Sequence, residues 1–222
     1  MKIEASFIRS AASAGDLPRD GLAAIALVGR SNVGKSSLIN ALVRTHVART
    51  SAMPGKTRLA NVYRVARGSS AAIHVIDLPG YGFATRGTEG FAGIAEAVLA
   101  SDPAALLLVD ARHPGLANDL DAWAWLRRTV GRTAVVATKI DKLARGERIR
   151  AAGQLESVFD ESVLPVSAAT GEGLDELWKL IDKLVNNPQH SSSPSRAEPR
   201  PRPPARAQAA TARPQTRAPR RR

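Results

Sequence analysis

Gly29-Arg30-Ser31-Asn32-Val33-Gly34-Lys35-Ser36 is the stretch on which the reading of this chain turns. It has the form G-x-x-x-x-G-K-S. An apolar run, Ala24–Val28, stands directly before it, and a helical pattern over Lys35–Val43, with Leu38 and Ile39, follows. Glycines at these two places let a backbone wrap a phosphate, while successive amides at the helix start, through Ser37, donate to its oxygens. Lys35 is placed to reach the β- and γ-phosphates, and the Ser36 hydroxyl to bind Mg²⁺. A glycine turn that merely caps a helix is the plainer reading, and the strand-before, helix-after context weighs against it.

Outward from this loop, strand and helix patterns alternate. Apolar runs predict buried strands at Ala24–Val28, Ile73–Ile76, Ala104–Val109, Ala134–Ala137 and Val163–Pro165, and alternation predicts a sixth at Leu59–Arg67. Helical patterns cover Lys35–Val43, Glu89–Ala100, Ala117–Val130, Arg145–Phe159 and Leu174–Val185. Such alternation predicts an α/β domain over 21–185, a mostly parallel six-stranded sheet with helices on both faces. Residues 1–20 are expected to pack on it as an N-terminal segment. Every polar motif then falls at the C-terminal end of a strand, where open α/β sheets bind ligands.

Two further motifs say what the phosphates belong to. Asp77-Leu78-Pro79-Gly80 ends one strand: Asp77 is placed to hold Mg²⁺ through a water, and the Gly80 amide to sense a γ-phosphate. Thr138-Lys139-Ile140-Asp141 ends another. A carboxylate at Asp141 can accept from both N1–H and the N2 amino group of guanine, a donor pair that adenine lacks. Sites built on a substrate's own hydrogen bonds reject an analogue lacking them by roughly 10⁴-fold or more. The Lys139 stem would stack on the base or on the glycine loop, and Val166-Ser167-Ala168 would supply a backbone N–H to the guanine carbonyl. Each motif is weak alone; in this order they point to GTP and GDP. Thr57 lies in a loop after the first helix, with Gly55 allowing the turn, where its hydroxyl could complete Mg²⁺ coordination. Arg44, Arg49, Lys56 and Arg58 make that loop basic, either to steer phosphates or as solvated side chains.

Composition sets the outer limits. The chain has 222 residues and a formal net charge of +12, with no cysteine, which excludes disulfide frameworks, thiolate metal sites and cysteine nucleophiles. No apolar run approaches the roughly 18 residues of a membrane helix. The N-terminus lacks a continuous apolar segment of the secretory kind. A soluble, cytoplasmic protein is the expectation. Residues 186–222 hold nine arginines against one glutamate and eight of the 14 prolines. That composition predicts a disordered basic tail, either a solubility aid or a tether to RNA.

The motifs together resemble a translation-factor-class P-loop GTPase, and in detail the EngB (YihA/YsxC) family. The resemblance rests on Gly29 through Asn40, Pro54-Gly55-Lys56-Thr57-Arg58, Asp77-Leu78-Pro79-Gly80-Tyr81-Gly82-Phe83-Ala84 and Leu108-Val109-Asp110-Ala111-Arg112-His113. Thr138, where GTPases commonly have Asn, fits that family too. The resemblance covers about residues 5–185. It implies GTP binding with Leu59 also at the site, slow hydrolysis, Mg²⁺, a monomer working on the large ribosomal subunit precursor, and a requirement for normal division septum formation. Lys35, Thr57 and Asn32 are the candidates for the hydrolytic step. Tyr81 stands where many GTPases carry a water-orienting Gln, and Arg30 and Arg58 are the nearby arginines. Asn32 admits two readings: its side chain holds K⁺ beside the phosphates, as in GTPases that share it, or it braces the loop. An RNA-binding scaffold with structural GTP, and a tRNA-modification GTPase of the same superfamily, stay open as alternatives.

The four histidines have no spacing that builds a metal site. Trp123 and Trp125, about 200° apart on a helix, are not expected to face the core together. Trp178, with Leu174, Leu177 and Ile181, is expected in the core.

Overall fold

The strand Ala104–Asp110, fifth along the chain and here β5, is buried at every residue, and its side chains divide between two apolar clusters. Ala105, Leu107 and Val109 enter one, and Ala104, Leu106 and Leu108 the other. An unbroken apolar run is what a strand covered on both faces requires. Each fully buried leucine there is worth about 1.5–3 kcal/mol. The computed structural model describes residues 2–49, 59–81 and 89–186, with only the backbone described for 89–92.

The other strands are β1 (Ile3–Ala11), β2 (Ala24–Gly29), β3 (Ala60–Arg67), β4 (Ile73–Asp77), β6 (Thr133–Thr138) and β7 (Val163–Pro165). They form one sheet in the order β1-β3-β4-β2-β5-β6-β7. From β4 to β7 neighbouring strands are parallel, whereas β3 runs antiparallel to β4, and β1 antiparallel to β3. The α/β fold is as expected, but the sheet has seven strands rather than six. The extra one lies in the N-terminal segment: Ile3 and Ala5 pack on the core beside β3, and the Phe7 ring meets Tyr63 edge-on at 5.8 Å. An Ile-x-Ala-x-Phe alternation is the signal that could have revealed it.

Helices α1 (Lys35–Val43) and α5 (Leu174–Asn186) cover one face; α2 (Glu89–Leu99), α3 (Ala117–Thr129) and α4 (Arg145–Phe159) cover the other. Trp178 is buried as expected, its Nε1 donating to the Leu42 carbonyl. The expectation for Trp123 and Trp125 is corrected, because both are buried. Helix α3 has two apolar neighbours. Trp123 turns to α4, meeting Phe159 edge-on at 6.2 Å and donating to its carbonyl, while Trp125 joins the same core from another side. Among the described residues, no helix is long and apolar enough to cross a membrane.

Candidate functional site

Strand β2 sits between β4 and β5, the point where the strand order turns back, and open α/β sheets bind ligands among the loops that leave such a point. Gly29 ends β2, and the loop it opens is bent by left-handed backbone at Asn32 (φ 62°) and Gly34 (φ 111°). Asparagine tolerates that conformation, so the backbone alone gives Asn32 a reason to be there. Lys35 opens α1 and is buried; its Nζ donates to the carbonyls of Gly29 at 3.1 Å and Arg30 at 3.4 Å. The ammonium is thus held inside the curl of the loop. Burial pulls its pKa down, and the Asp77 carboxylate partly opposes this.

Asp77 ends β4, next to β2. Its Oδ2 accepts from the Ser36 hydroxyl at 2.7 Å, while Oδ1 is buried with no hydrogen-bond partner among the described residues. Burial raises this carboxyl's pKa, with Lys35 and Ser36 opposing. An orphaned, buried carboxylate oxygen beside a hydroxyl is a hard oxygen donor set, and it suits Mg²⁺. Gly80 lies against the loop so closely that a Cβ on it would come within 2.5 Å of the Ser31 amide nitrogen.

The base side is built from β6 and β7. Thr138 does not reach outward: its hydroxyl lies 2.7 Å from the Val33 carbonyl and 3.0 Å from that of Val109, tying the glycine loop to the sheet. Lys139 takes the left-handed conformation (φ 62°) and lays its stem along the loop, Nζ donating to the Asn32 carbonyl at 2.6 Å. Asp141 Oδ1 accepts from the Ser167 hydroxyl at 2.7 Å, and this bond, with Lys142 nearby, holds the carboxyl below its ordinary pKa despite some desolvation. The charge that a guanine donor pair needs is therefore present at neutral pH. The Ser167 N–H is already given to the Glu172 carbonyl at 2.9 Å.

A sequence model of the 50S ribosome-binding GTPase family matches residues 24–139. The Probable GTP-binding protein EngB of Clostridioides difficile (strain 630) is 42% identical over 200 residues, covering 84% of this chain and 96% of that protein. The chain belongs to the EngB family of GTP-binding proteins. It is a P-loop GTPase that binds GTP and GDP. Among solved structures, a probable GTP-binding protein engB matches with a TM-score of 0.51 and 26% identity, over 73% of this chain and 98% of that one. Era in complex with MgGDPNP and nucleotides 1506–1542 of 16S ribosomal RNA matches with a TM-score of 0.63 and 26% identity, over 75% of this chain and 57% of that one.

Within this EngB-family site, the structure brings together Gly29–Ser37, Asp77–Gly80, Thr138–Asp141 and Val166–Ala168. Leu59 opens the described segment before β3 and is exposed. Gly55, Lys56, Thr57 and Arg58 lie outside the described residues, as do 82–88 and the basic segment 187–222. Two carboxylates at the site went unassigned in the sequence. Asp110, ending β5, accepts from Lys139 Nζ at 3.0 Å and from Arg112 Nε and Nη2 at 2.9 and 2.7 Å. Asp119 of α3 accepts from Arg30 Nε at 3.1 Å, so the guanidinium of that loop residue is committed to α3. Two signals mark Asp110: it closes the wholly apolar run 104–109, and it lies in the Leu108–His113 run that carries the resemblance.

Proposed function

We propose that this EngB-family GTPase is a GTP-regulated assembly factor for the large ribosomal subunit precursor, active in the cytoplasm as a monomer and needed for normal division septum formation. The observation that carries the reading is the placement of Lys35, Ser36, Asp77 and Asp141 around one crevice in a chain that the 50S ribosome-binding GTPase family matches. The solved Era complex with ribosomal RNA supports a partner of that chemistry.

In this reading the glycine loop, Gly29 through Ser37, cradles the phosphates, and Lys35 leaves its carbonyl partners for the β- and γ-phosphates. Ser36 and Thr57 would hold Mg²⁺, with Asp77 acting through a water, and the ion would supply charge neutralisation for the transferring phosphoryl group. Gly55, Lys56, Arg58 and Leu59 close the first switch around the nucleotide, and Leu78, Pro79 and Gly80 carry the second. Asp141 reads the guanine N1–H and N2 amino group, Lys139 and Ile140 flank the base, and the Ala168 amide, set by Val166 and Ser167, meets its carbonyl. Intrinsic turnover is slow because Tyr81 offers no side-chain amide to orient water. Asn32 would hold K⁺, which would supply positive charge where transition-state charge appears.

The test is sedimentation with ribosomal particles under GTP, GDP and a non-hydrolysable GTP analogue, with turnover followed in K⁺ and in Na⁺. Binding to the large-subunit particle under the analogue and release under GDP is the expected outcome. Equal binding under all three nucleotides would sink the switch, and equal rates in the two salts would remove K⁺ from it.

A further inference from the structure

Asp77 is not alone in carrying a buried, unpartnered oxygen. Asp119, in the first turn of α3, is 1% exposed; its Oδ2 has no hydrogen-bond partner among the described residues. Its Oδ1 accepts twice, from the Tyr81 hydroxyl at 2.8 Å and from Arg30 Nε at 3.1 Å. Leaving a buried acceptor unmet costs about 1–3 kcal/mol. Burial accordingly raises the Asp119 pKa, against the two donors that stabilise its charge. Packing against the core asks for none of this. An apolar side chain in the same space would be cheaper, so the carboxylate is explained by what it holds.

It holds two segments that the nucleotide site needs in register. Arg30 belongs to the glycine loop, and Tyr81 is the first residue after Asp77-Leu78-Pro79-Gly80. Their backbones are also joined: the Ser31 N–H donates to the Tyr81 carbonyl at 3.1 Å, and the Ser31 hydroxyl reaches the Gly80 carbonyl at 3.4 Å. Arg30 and Tyr81 form an isolated parallel bridge beside β2 and β4. Asp119 is the side-chain anchor of this junction, and it comes from a third element.

We propose that Asp119 is a positioning residue that, through the Tyr81 hydroxyl, fixes Gly80 against the glycine loop and thereby favours GTP over GDP. The inference rests on the reading of Gly80 as the amide that meets the γ-phosphate. GDP uses the glycine loop and the base side and has nothing to ask of Gly80. A loosened junction must be ordered again when a γ-phosphate arrives, and that conformational entropy is charged to GTP alone.

The experiment titrates the full chain with fluorescent GDP and a fluorescent non-hydrolysable GTP analogue. Tyr81→Phe removes only the hydroxyl and keeps the ring in the core. It is expected to weaken the analogue about 5- to 10-fold, the size of one ordinary hydrogen bond, and GDP by no more than about twofold. Asp119→Ala should reproduce the split, and Asp119→Asn, which keeps an acceptor for Tyr81, should restore most of it. Equal losses for both nucleotides would reduce Asp119 to a structural role and overturn the proposal, as would no loss, or tighter analogue binding. Gly80→Ala separates the two levels of the argument. If that variant binds the analogue as well as the wild type does, the sensor reading itself falls; if it loses the analogue while Tyr81→Phe does not, only the anchor falls.

Discussion

Asp110 shows how much a single side chain can organise. It closes β5, accepts three bonds from Arg112, one of them from the backbone amide, and one from Lys139, and so sets the lysine stem along the glycine loop. Burial alone would raise its pKa, but the Arg112 and Lys139 donors outweigh burial and hold the carboxyl well below the ordinary range. A carboxyl depressed in the folded state adds stability that is complete above its unfolded pKa, near 4, and is lost as pH falls toward the folded value. Asp110→Asn should therefore destabilise the protein by about 2 kcal/mol at neutral pH, the worth of charge-assisted bonds in a partly buried site. The gap between variant and wild type should hold steady from about pH 8 to 5 and narrow below about pH 4. Urea midpoints across that range check it; a gap that persists in acid would mean lost packing instead of lost charge. The places of Lys35, Ser36, Asp77 and Asp141 just past or at strand ends were legible in the sequence, because each motif ties residue type to a position a few residues from an apolar run. Asp119 was not. An acidic residue in the first turn of a helix is ordinary, and its partners stand 89 and 38 positions away.

At the scale of elements, the loop between β7 and α5 carries the base side and is held by backbone geometry. Gly173 has φ +78°, and a Cβ there would lie 2.3 Å from the Pro165 carbonyl oxygen, at the end of β7. Two residues beyond Pro165 stands Ser167, which accepts from the amides of Ala169 and Thr170 and donates to Asp141. Gly173→Ala must displace that turn. It should cost about 1–3 kcal/mol for the strained backbone, and guanine nucleotide affinity should fall with it. Calorimetric titration with GDP beside a denaturation curve tests both; unchanged GDP binding would show that the turn and the base pocket are independent. The core elements were readable for a simple reason. Runs such as 104–109 and 134–137 admit one placement, between two helical layers, and α1 and α4 begin and end where their patterns do. The elements that escaped depend on neighbours remote in sequence. Strand β1 exists because β3, some 50 residues on, offers it an edge. Trp123 is buried because α4 supplies a second apolar wall that no window around residue 123 contains.

Charge is unevenly spread over the molecule: the segment after α5 carries nine arginines and one glutamate. If this segment tethers RNA, deleting 187–222 should weaken binding to ribosomal particles and flatten its dependence on salt, because fewer counterions are released, while GTP affinity stays within about twofold. An unchanged salt slope would leave the segment as an aid to solubility. Where it departs from the domain is settled by contacts on the side away from the crevice. Arg67, ending β3, pairs with Asp182 in α5 and lies over the Trp178 ring, and Arg132, just before β6, reaches the Leu184 carbonyl. The Lys2 carbonyl accepts from Gly68 at the same end of the sheet, where Ile3 pairs with Arg67. The start of β1 and the last turns of α5 are thus both tied to the end of β3, opposite the strand ends that carry the nucleotide motifs. A first strand and a last helix anchored at one strand end suit a domain to circular permutation. A short linker could join them, and new ends could be opened in the exposed turn at 68–70, with every crevice residue left in its place. In such a permuted chain Thr138–Asp141 would precede the glycine loop in sequence and still make the contacts to Val33 and Asn32 that it makes now, and the familiar order of motifs would prove to be a matter of connectivity rather than of chemistry.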